Sequence, residues 1–192
     1  MISPPEPTPY FGENEVKCLI DNLKQSLTLE GDVVECGVYN GYSAYIMGKT
    51  IEELAPTKTL YLFDSFSGLP AEYRSPEDTT DNPFTYVGDH SYVIKLMSTL
   101  KIHIVVFKGL FCDTFPNFIN GSLCFVHLDV DYIKSYKEAF SFVYPKLVSG
   151  GTIVVDDCCY TPILNYFNSL FSNLVCERKR QCIIVKDKTV FR

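Results

Sequence analysis

The sequence has no tryptophan and only three histidines, and His90 and His103 stand in no metal-ligand pattern. Basic residues are few. The chain carries 17 Lys and Arg against 23 Asp and Glu, a net charge of −6. That balance excludes an extended nucleic-acid surface, which needs clustered Lys and Arg. Nowhere do about 18 apolar residues run together, so no membrane-spanning helix is expected. The opening stretch, MISPPEPTPYFG, has neither the basic start nor the apolar centre of a secretory signal. A cytoplasmic chain is therefore expected, with its eight cysteines mostly reduced. No Cys-x-x-Cys pair occurs. There is no G-x-G-x-x-G, and no lysine follows the first glycine turn as in a phosphate-binding loop.

What is present suits a single domain over residues 1–192 with a substantial core. Hydrophobic content is 46%, and 14 Phe and 13 Tyr supply core volume. Residues 1–29 read as a proline-rich arm followed by a helix from Glu13. The apolar positions Val16, Leu19, Ile20, Leu23 and Leu27 carry its helical spacing to about Leu29. Strands are expected at Asp32–Cys36, Thr59–Phe63, Ile102–Phe107, Leu123–Asp129 and Thr152–Val155. Helices alternate with them at about Tyr42–Leu54, Ser91–Leu100, Cys112–Phe118, Lys134–Leu147 and Pro162–Phe171. Gly150-Gly151 is expected to turn the chain into the fifth strand. The tail reads as a β-hairpin, about Leu174–Glu177 and Gln181–Val185, leading on to Thr189-Val190-Phe191. Alternation of this kind means a mostly parallel sheet with helices on both faces. Residues 71–90 lack periodicity and are expected to form a lid. The basic run Glu177-Arg178-Lys179-Arg180 reads as a solvated hairpin or loop.

Two segments, HLDVD (127–131) and IVVDD (153–157), are apolar runs that end in acid. Such runs are buried parallel strands, and their last residues emerge where open α/β sheets bind ligands. Neighbouring strands lie roughly 4.8 Å apart. Paired strands would therefore crowd Asp129, Asp131, Asp156 and Asp157 into one cleft, where a divalent cation or shared protons must offset their repulsion. His127, inside the run, reads as a core histidine. Cys158-Cys159, directly after the acids, read as packing in the site wall.

The segment VECGVYNGYSA (34–44) places glycines in a strand-to-helix turn, where backbone can approach a ligand. Glu35 before the first glycine suits a cationic ligand better than a pyrophosphate; an ion pair at the sheet edge is its other role. Asp64 ends the second strand, where an acid can accept ribose hydroxyls. A turn or helix cap is its alternative.

VECGVYNGYSA, LFDSFSGLP (62–70), FKGLFCDTFP (107–116), HLDVDYIKSYKEA (127–139) and YPKLVSGGTIVVDD (144–157) occur in one order. This arrangement resembles the macrocin-type (TylF/MycF) S-adenosylmethionine-dependent sugar O-methyltransferases over about residues 30–157. The resemblance implies a class I methyltransferase (Rossmann-like) α/β fold, with sheet order 3-2-1-4-5-7-6 and an antiparallel last strand. It implies S-adenosylmethionine and Mg²⁺ as cofactors. It assigns Asp129, Asp156 and Asp157 to the metal and Asp131 to the role of catalytic base. Glu35, Gly37, Tyr39, Gly41, Ser43, Asp64, Ser65, Gly109, Phe111 and Asp129 are assigned to the cofactor, with 109–111 at the adenine. The acceptor would be a hydroxyl of a sugar or glycosylated small molecule, with neither nucleic acid nor membrane as partner and a homodimer left open. A catechol-like diol is the nearest alternative acceptor. A nicotinamide-dependent oxidoreductase and a non-catalytic S-adenosylmethionine-binding subunit are the alternatives of other classes. After Asp157 the chain departs from the family pattern with Cys158-Cys159-Tyr160-Thr161-Pro162, so the acceptor does not carry over.

Overall fold

A computed structural model describes residues 3, 5–7, 11–79, 81–118, 121–172, 174–177 and 180–187. The expected strand at 189–191, positions 178 and 179 of the basic run and much of the proline-rich opening lie outside the described residues.

Helix α1 (Glu13–Ser26) leads into β1 (Asp32–Cys36), α2 (Tyr42–Leu54) and β2 (Thr59–Asp64). After a long loop come α3 (His90–Met97), β3 (His103–Lys108), α4 (Phe111–Thr114) and β4 (Leu123–Leu128). Then follow α5 (Ile133–Val143), β5 (Leu147–Val155), α6 (Thr161–Leu170), β6 (Val175–Glu177) and β7 (Gln181–Val185). The strands form one seven-stranded sheet in the order 3-2-1-4-5-7-6. β1 to β5 run parallel, and β7 lies antiparallel to both β5 and β6. Fold class, strand order and the reversed last strand are those expected from the sequence.

Side chains alternate across the sheet with period two. Val33, Phe125 and Val154 join Leu19, Leu23, Met47, Ile51 and Leu96 in a core beneath α1, α2 and α3. Val34, Val126 and Val155 face Tyr136, Phe140, Ile163 and Phe167 beneath α5 and α6 on the other side. The first face extends to the chain's opening, where Phe11 packs edge-on against Tyr42 and His127.

Several boundaries shift for identifiable reasons. Pro145 ends the helix that Leu147 seemed to extend. α5 stops at Val143, a 3₁₀ turn covers Tyr144–Lys146, and Leu147 opens β5 instead. Gly150 and Gly151 therefore lie inside β5, not before it. The ladder with β4 slips between Leu123 and Phe125, and Gly150 there has φ 79°. Pro116 likewise confines α4 to one turn. The Asp89 carboxylate accepts from the Tyr92 amide at 3.0 Å and starts α3 one residue early.

The order reverses between β1 and β4, so a crevice opens beyond their C-terminal ends. Gly37, at the end of β1, sets its depth. Its φ is 88°, and a Cβ there would lie 1.7 Å from the Asp129 carbonyl oxygen. Gly37→Ala should therefore cost on the order of 3 kcal/mol or more, because both the conformation and the space exclude a side chain. Thermal melting tests this, and a transition within two or so degrees of the parent would refute the close approach.

Candidate active site

A cavity of about 350 Å³ occupies the crevice. Gly37, Val38, Tyr39 and Ser43 line it from the β1–α2 turn, and Asp64 and Ser65 from the end of β2. Gly109, Leu110 and Phe111 contribute from the end of β3. The acids Asp129, Asp131, Asp156 and Asp157 complete it from β4 and β5. Nearly every residue assigned from the sequence thus meets around one space.

Two do not. Glu35 is completely buried, and its Oε1 lies 2.9 Å from Nδ1 of His127. β1 and β4 pair Glu35 directly with His127 on the α1 face of the sheet. It does not line the cavity, and its partner is His127 instead of the cationic ligand expected from the sequence. Gly41 caps α2 with φ 82°; the space where its Cβ would stand faces Val93, Leu96 and Met97 of α3, not the cavity.

Asp64 does structural work at the rim. Its Oδ2 accepts from the amides of Val38 and Tyr39 at 2.7 and 2.8 Å, and its Oδ1 from the Phe66 amide at 2.6 Å. These bonds hold the glycine turn against the end of β2. Burial pushes the Asp64 carboxyl upward, and the three amides oppose that shift.

The acid cluster is divided by backbone geometry. By period two, His127 and Asp129 continue the α1 face of β4, and Asp156 continues the same face of β5 from Val154. One ring nitrogen of His127 and one carboxylate oxygen each from Asp129 and Asp156 lie within 4.8 Å of one another. Asp131 and Asp157 instead adopt left-handed backbone, with φ of 57° and 59°. That conformation is uncommon outside glycine and turns their side chains out of the strand pattern. Asp157 Oδ2 accepts from the Tyr136 hydroxyl at 3.3 Å, and its Oδ1 lies 3.5 Å from Arg180 Nη2. The expected metal trio of Asp129, Asp156 and Asp157 is therefore not the closest grouping. His127 takes the third place, because the left-handed turn carries Asp157 toward Tyr136.

Arg180 and Tyr136 were missed by the sequence reading. Arg180 belongs to the basic run expected to be solvated, yet it lines the cavity, with Nε 3.4 Å from Asp156 Oδ1. The antiparallel register of β7 on β5, with Val155 opposite Cys182, puts Arg180 level with Asp157. Tyr136 is fully buried in α5 and reaches the Asp156 carbonyl at 3.0 Å. Its helical spacing marked it only as core. Cys158 and Cys159 do not line the cavity; Tyr160 does. Cys158 is buried behind it, and Cys159 is exposed.

Burial raises all four acids, and their neighbours raise three of them further. Asp129 and Asp131 stand well above the ordinary carboxylate range, through burial first and then repulsion from nearby acids. Asp156 is raised by burial, with His127 and Arg180 opposing. Asp157 is pushed up to about 7 by burial and by Asp156.

The family model for macrocin O-methyltransferase (TylF) matches residues 12–174, which contain every one of these cavity residues except Phe11 and Arg180. The chain belongs to the macrocin O-methyltransferase family. Within that family it is 27% identical over 156 residues to 8-demethyl-8-(2,3-dimethoxy-alpha-L-rhamnosyl)-tetracenomycin-C 4'-O-methyltransferase of Streptomyces olivaceus. That match covers 72% of this chain and 59% of the relative. The chain spans 56–60% of the length of the curated relatives it matches. Among solved structures, the O-methyltransferase NovP superposes with a TM-score of 0.79 at 19% identity, covering 91% of this chain and 80% of that one. MycE, a methyltransferase from the mycinamycin biosynthetic pathway solved in complex with Mg and SAH, superposes at 0.58. That match has 16% identity and covers 93% of this chain and 51% of that one. These superpositions establish the class I methyltransferase fold for this macrocin-family chain. No described helix is long and apolar enough to cross a membrane.

The cluster gives the metal-free protein a characteristic pH response. Asp157 titrates near 7 in the folded chain, against an ordinary value of 3.8. Between those values the folded state keeps a proton that the unfolded state has released, so stability falls as pH rises. Asp129, Asp131 and Asp156 shift in the same direction. In chelator, the melting temperature should drop by several degrees from pH 5 to pH 8. A divalent cation should restore most of the loss. A melting temperature that climbs over that range would show that the carboxylates are not buried together.

Proposed function

We propose that the chain is an S-adenosylmethionine-dependent O-methyltransferase whose acceptor is a hydroxyl of a sugar or glycosylated small molecule, and that the reaction uses a divalent cation. One observation carries this reading: the glycine turn with Asp64 and the four aspartates border a single cavity at one sheet edge. The rhamnosyl group in the name of the Streptomyces olivaceus relative supports the sugar assignment.

S-Adenosylmethionine supplies a methyl group already activated on a sulfonium. The protein must chiefly orient the acceptor and remove its proton. The β1–α2 turn, held by Asp64, offers backbone to the donor, and Gly109 to Phe111 offer an apolar wall to its base. The buried acids fit a divalent cation, since burial and mutual repulsion hold their carboxyls above the ordinary range. Such an ion lowers the pKa of a coordinated oxygen and fixes its direction. Asp131 takes the proton. Its left-handed backbone sets its carboxylate apart from Asp129, and burial with repulsion from the neighbouring acids raises its proton affinity, the direction a base needs.

Asp131→Asn keeps the shape and removes the base. It should lower kcat by about 10²–10⁴-fold while leaving metal affinity nearly unchanged. Full activity in this variant at saturating metal would move the base elsewhere.

The loop at 71–90 serves as the lid in this reading, tied to the start of α5 through Asp78 and to the 68–69 turn through backbone bonds of Phe84 and Thr85 with Leu69. Asp78 Oδ1 accepts from the Ile133 amide at 3.0 Å, and Asp78 Oδ2 accepts from the Ser75 amide and hydroxyl. Beyond that anchor, Phe84 and Val87 are 67% and 58% exposed, so apolar surface is available for closure over an acceptor. Hydrogen exchange at 81–88 should slow when S-adenosylhomocysteine and acceptor bind, with little change at 75–78. Equal protection of 81–88 in free and bound protein would remove the lid.

A further inference from the structure

His127 is the one member of the buried polar cluster that the charge argument leaves without a task. It is completely buried, its Nδ1 is held by Glu35, and its Nε2 has no hydrogen-bond partner among the described residues. Glu35 Oε2 also lacks one. A purely structural Glu35–His127 ion pair does not account for this. A protonated ring would bury an Nε2–H without an acceptor, and a neutral ring would bury a lone pair without a donor. The ring is not isolated in hydrocarbon, because it shares the 4.8 Å grouping with Asp129 and Asp156.

We propose that His127 is a ligand of the divalent ion, through the ring nitrogen that Glu35 does not hold, and that the site accordingly prefers Mn²⁺ or Fe²⁺ to Mg²⁺. The proposal rests on the metal-dependent reading above and specifies it. A carboxylate on Nδ1 fixes the tautomer with its proton on that side and leaves the lone pair on Nε2, as ligating histidines require. The spacing is close to what an ion needs. Ligand atoms about 2.1 Å from a centre stand at most about 4.2 Å apart, so atoms lying within 4.8 Å of one another need no more than a small contraction. Donor chemistry then sets the preference: an all-oxygen set suits Mg²⁺, whereas an imidazole among carboxylates favours the later first-row divalent ions.

The test uses the full chain, freed of metal with chelator, loaded with Mn²⁺ and prepared with natural-abundance and ¹⁵N-labelled histidine. Pulsed electron paramagnetic resonance should show a directly coordinated nitrogen whose modulation changes with the label. Neither of the other histidines competes for this assignment. His103 begins β3 and pairs with Thr59, and His90 packs on Phe66. Calorimetry should show Mn²⁺ binding at least about tenfold tighter than Mg²⁺. His127→Gln should erase most of that margin while changing Mg²⁺ affinity by no more than about threefold. Mn²⁺ that binds, is lost in Asp129→Asn and shows no histidine nitrogen would overturn the role of His127 and leave the metal reading intact. Absence of binding by either ion at millimolar concentration would overturn both. The labelled parent protein decides the matter even if His127→Gln does not fold.

Discussion

Four carboxylates held out of water at the ends of β4 and β5 repel one another, and the features around the cavity answer that repulsion in different ways. Asp131 and Asp157 leave the strand pattern through left-handed backbone, a conformation that costs roughly 1–3 kcal/mol at each residue. Arg180 brings positive charge to Asp156 and Asp157 from the hairpin at the far edge of the sheet. Tyr136 gives its hydroxyl from beneath. Even so, the carboxyls stay above their ordinary range. A cation held among them, as proposed above, would offset that repulsion.

The sheet order decides what lies beside these acids. Because the order reverses between β1 and β4, the glycine turn and the acid-bearing strand end become neighbours. The Gly37 amide donates to the Phe63 carbonyl at 2.9 Å, and the Asp129 amide to the Cys36 carbonyl at 3.0 Å. The donor side and the acceptor side of the cavity are thus stitched together by backbone, with no room for a Cβ at Gly37. Asp64 completes the seam with three amide hydrogen bonds. The positions of the two halves of the site follow from main-chain geometry more than from any side-chain contact.

Much of this was legible in the sequence because the signals were local. β1 and α2 fall at their expected residues, since a strand of β-branched residues, a glycine turn and an amphipathic helix each declare themselves within a short window. The acids at the ends of β4 and β5 were legible because an apolar run ending in aspartate has few other meanings. What escaped depended on register or on dihedral angles. Arg180 looked like part of a solvated run because only the pairing of β7 on β5 reveals where it points. Asp157 is assigned to the metal with Asp129 and Asp156 through the resemblance, and nothing in the letters marks the left-handed backbone that turns it toward Tyr136. Glu35 was assigned to the cofactor by its place before Gly37, although alternation along β1 puts it on the buried face opposite His127. Leu147 kept helical spacing past Pro145, and the proline decided.

The bond from the Ile133 amide to Asp78 spans a long stretch of chain and caps the helix that begins just after Asp131. The rim loop and the first turn of α5 therefore share one free-energy balance: whatever tightens the loop also steadies the backbone that aims Asp131, and the reverse holds equally. For the evolution of acceptor range this is a restriction. Substitutions beyond the anchor, at positions such as Phe84 or Val87, can alter what the loop recognises at little cost to the reacting groups. If the loop and Asp131 act as proposed, a change at Asp78 would alter recognition and proton removal together, so the loop could drift in sequence while that one carboxylate stays.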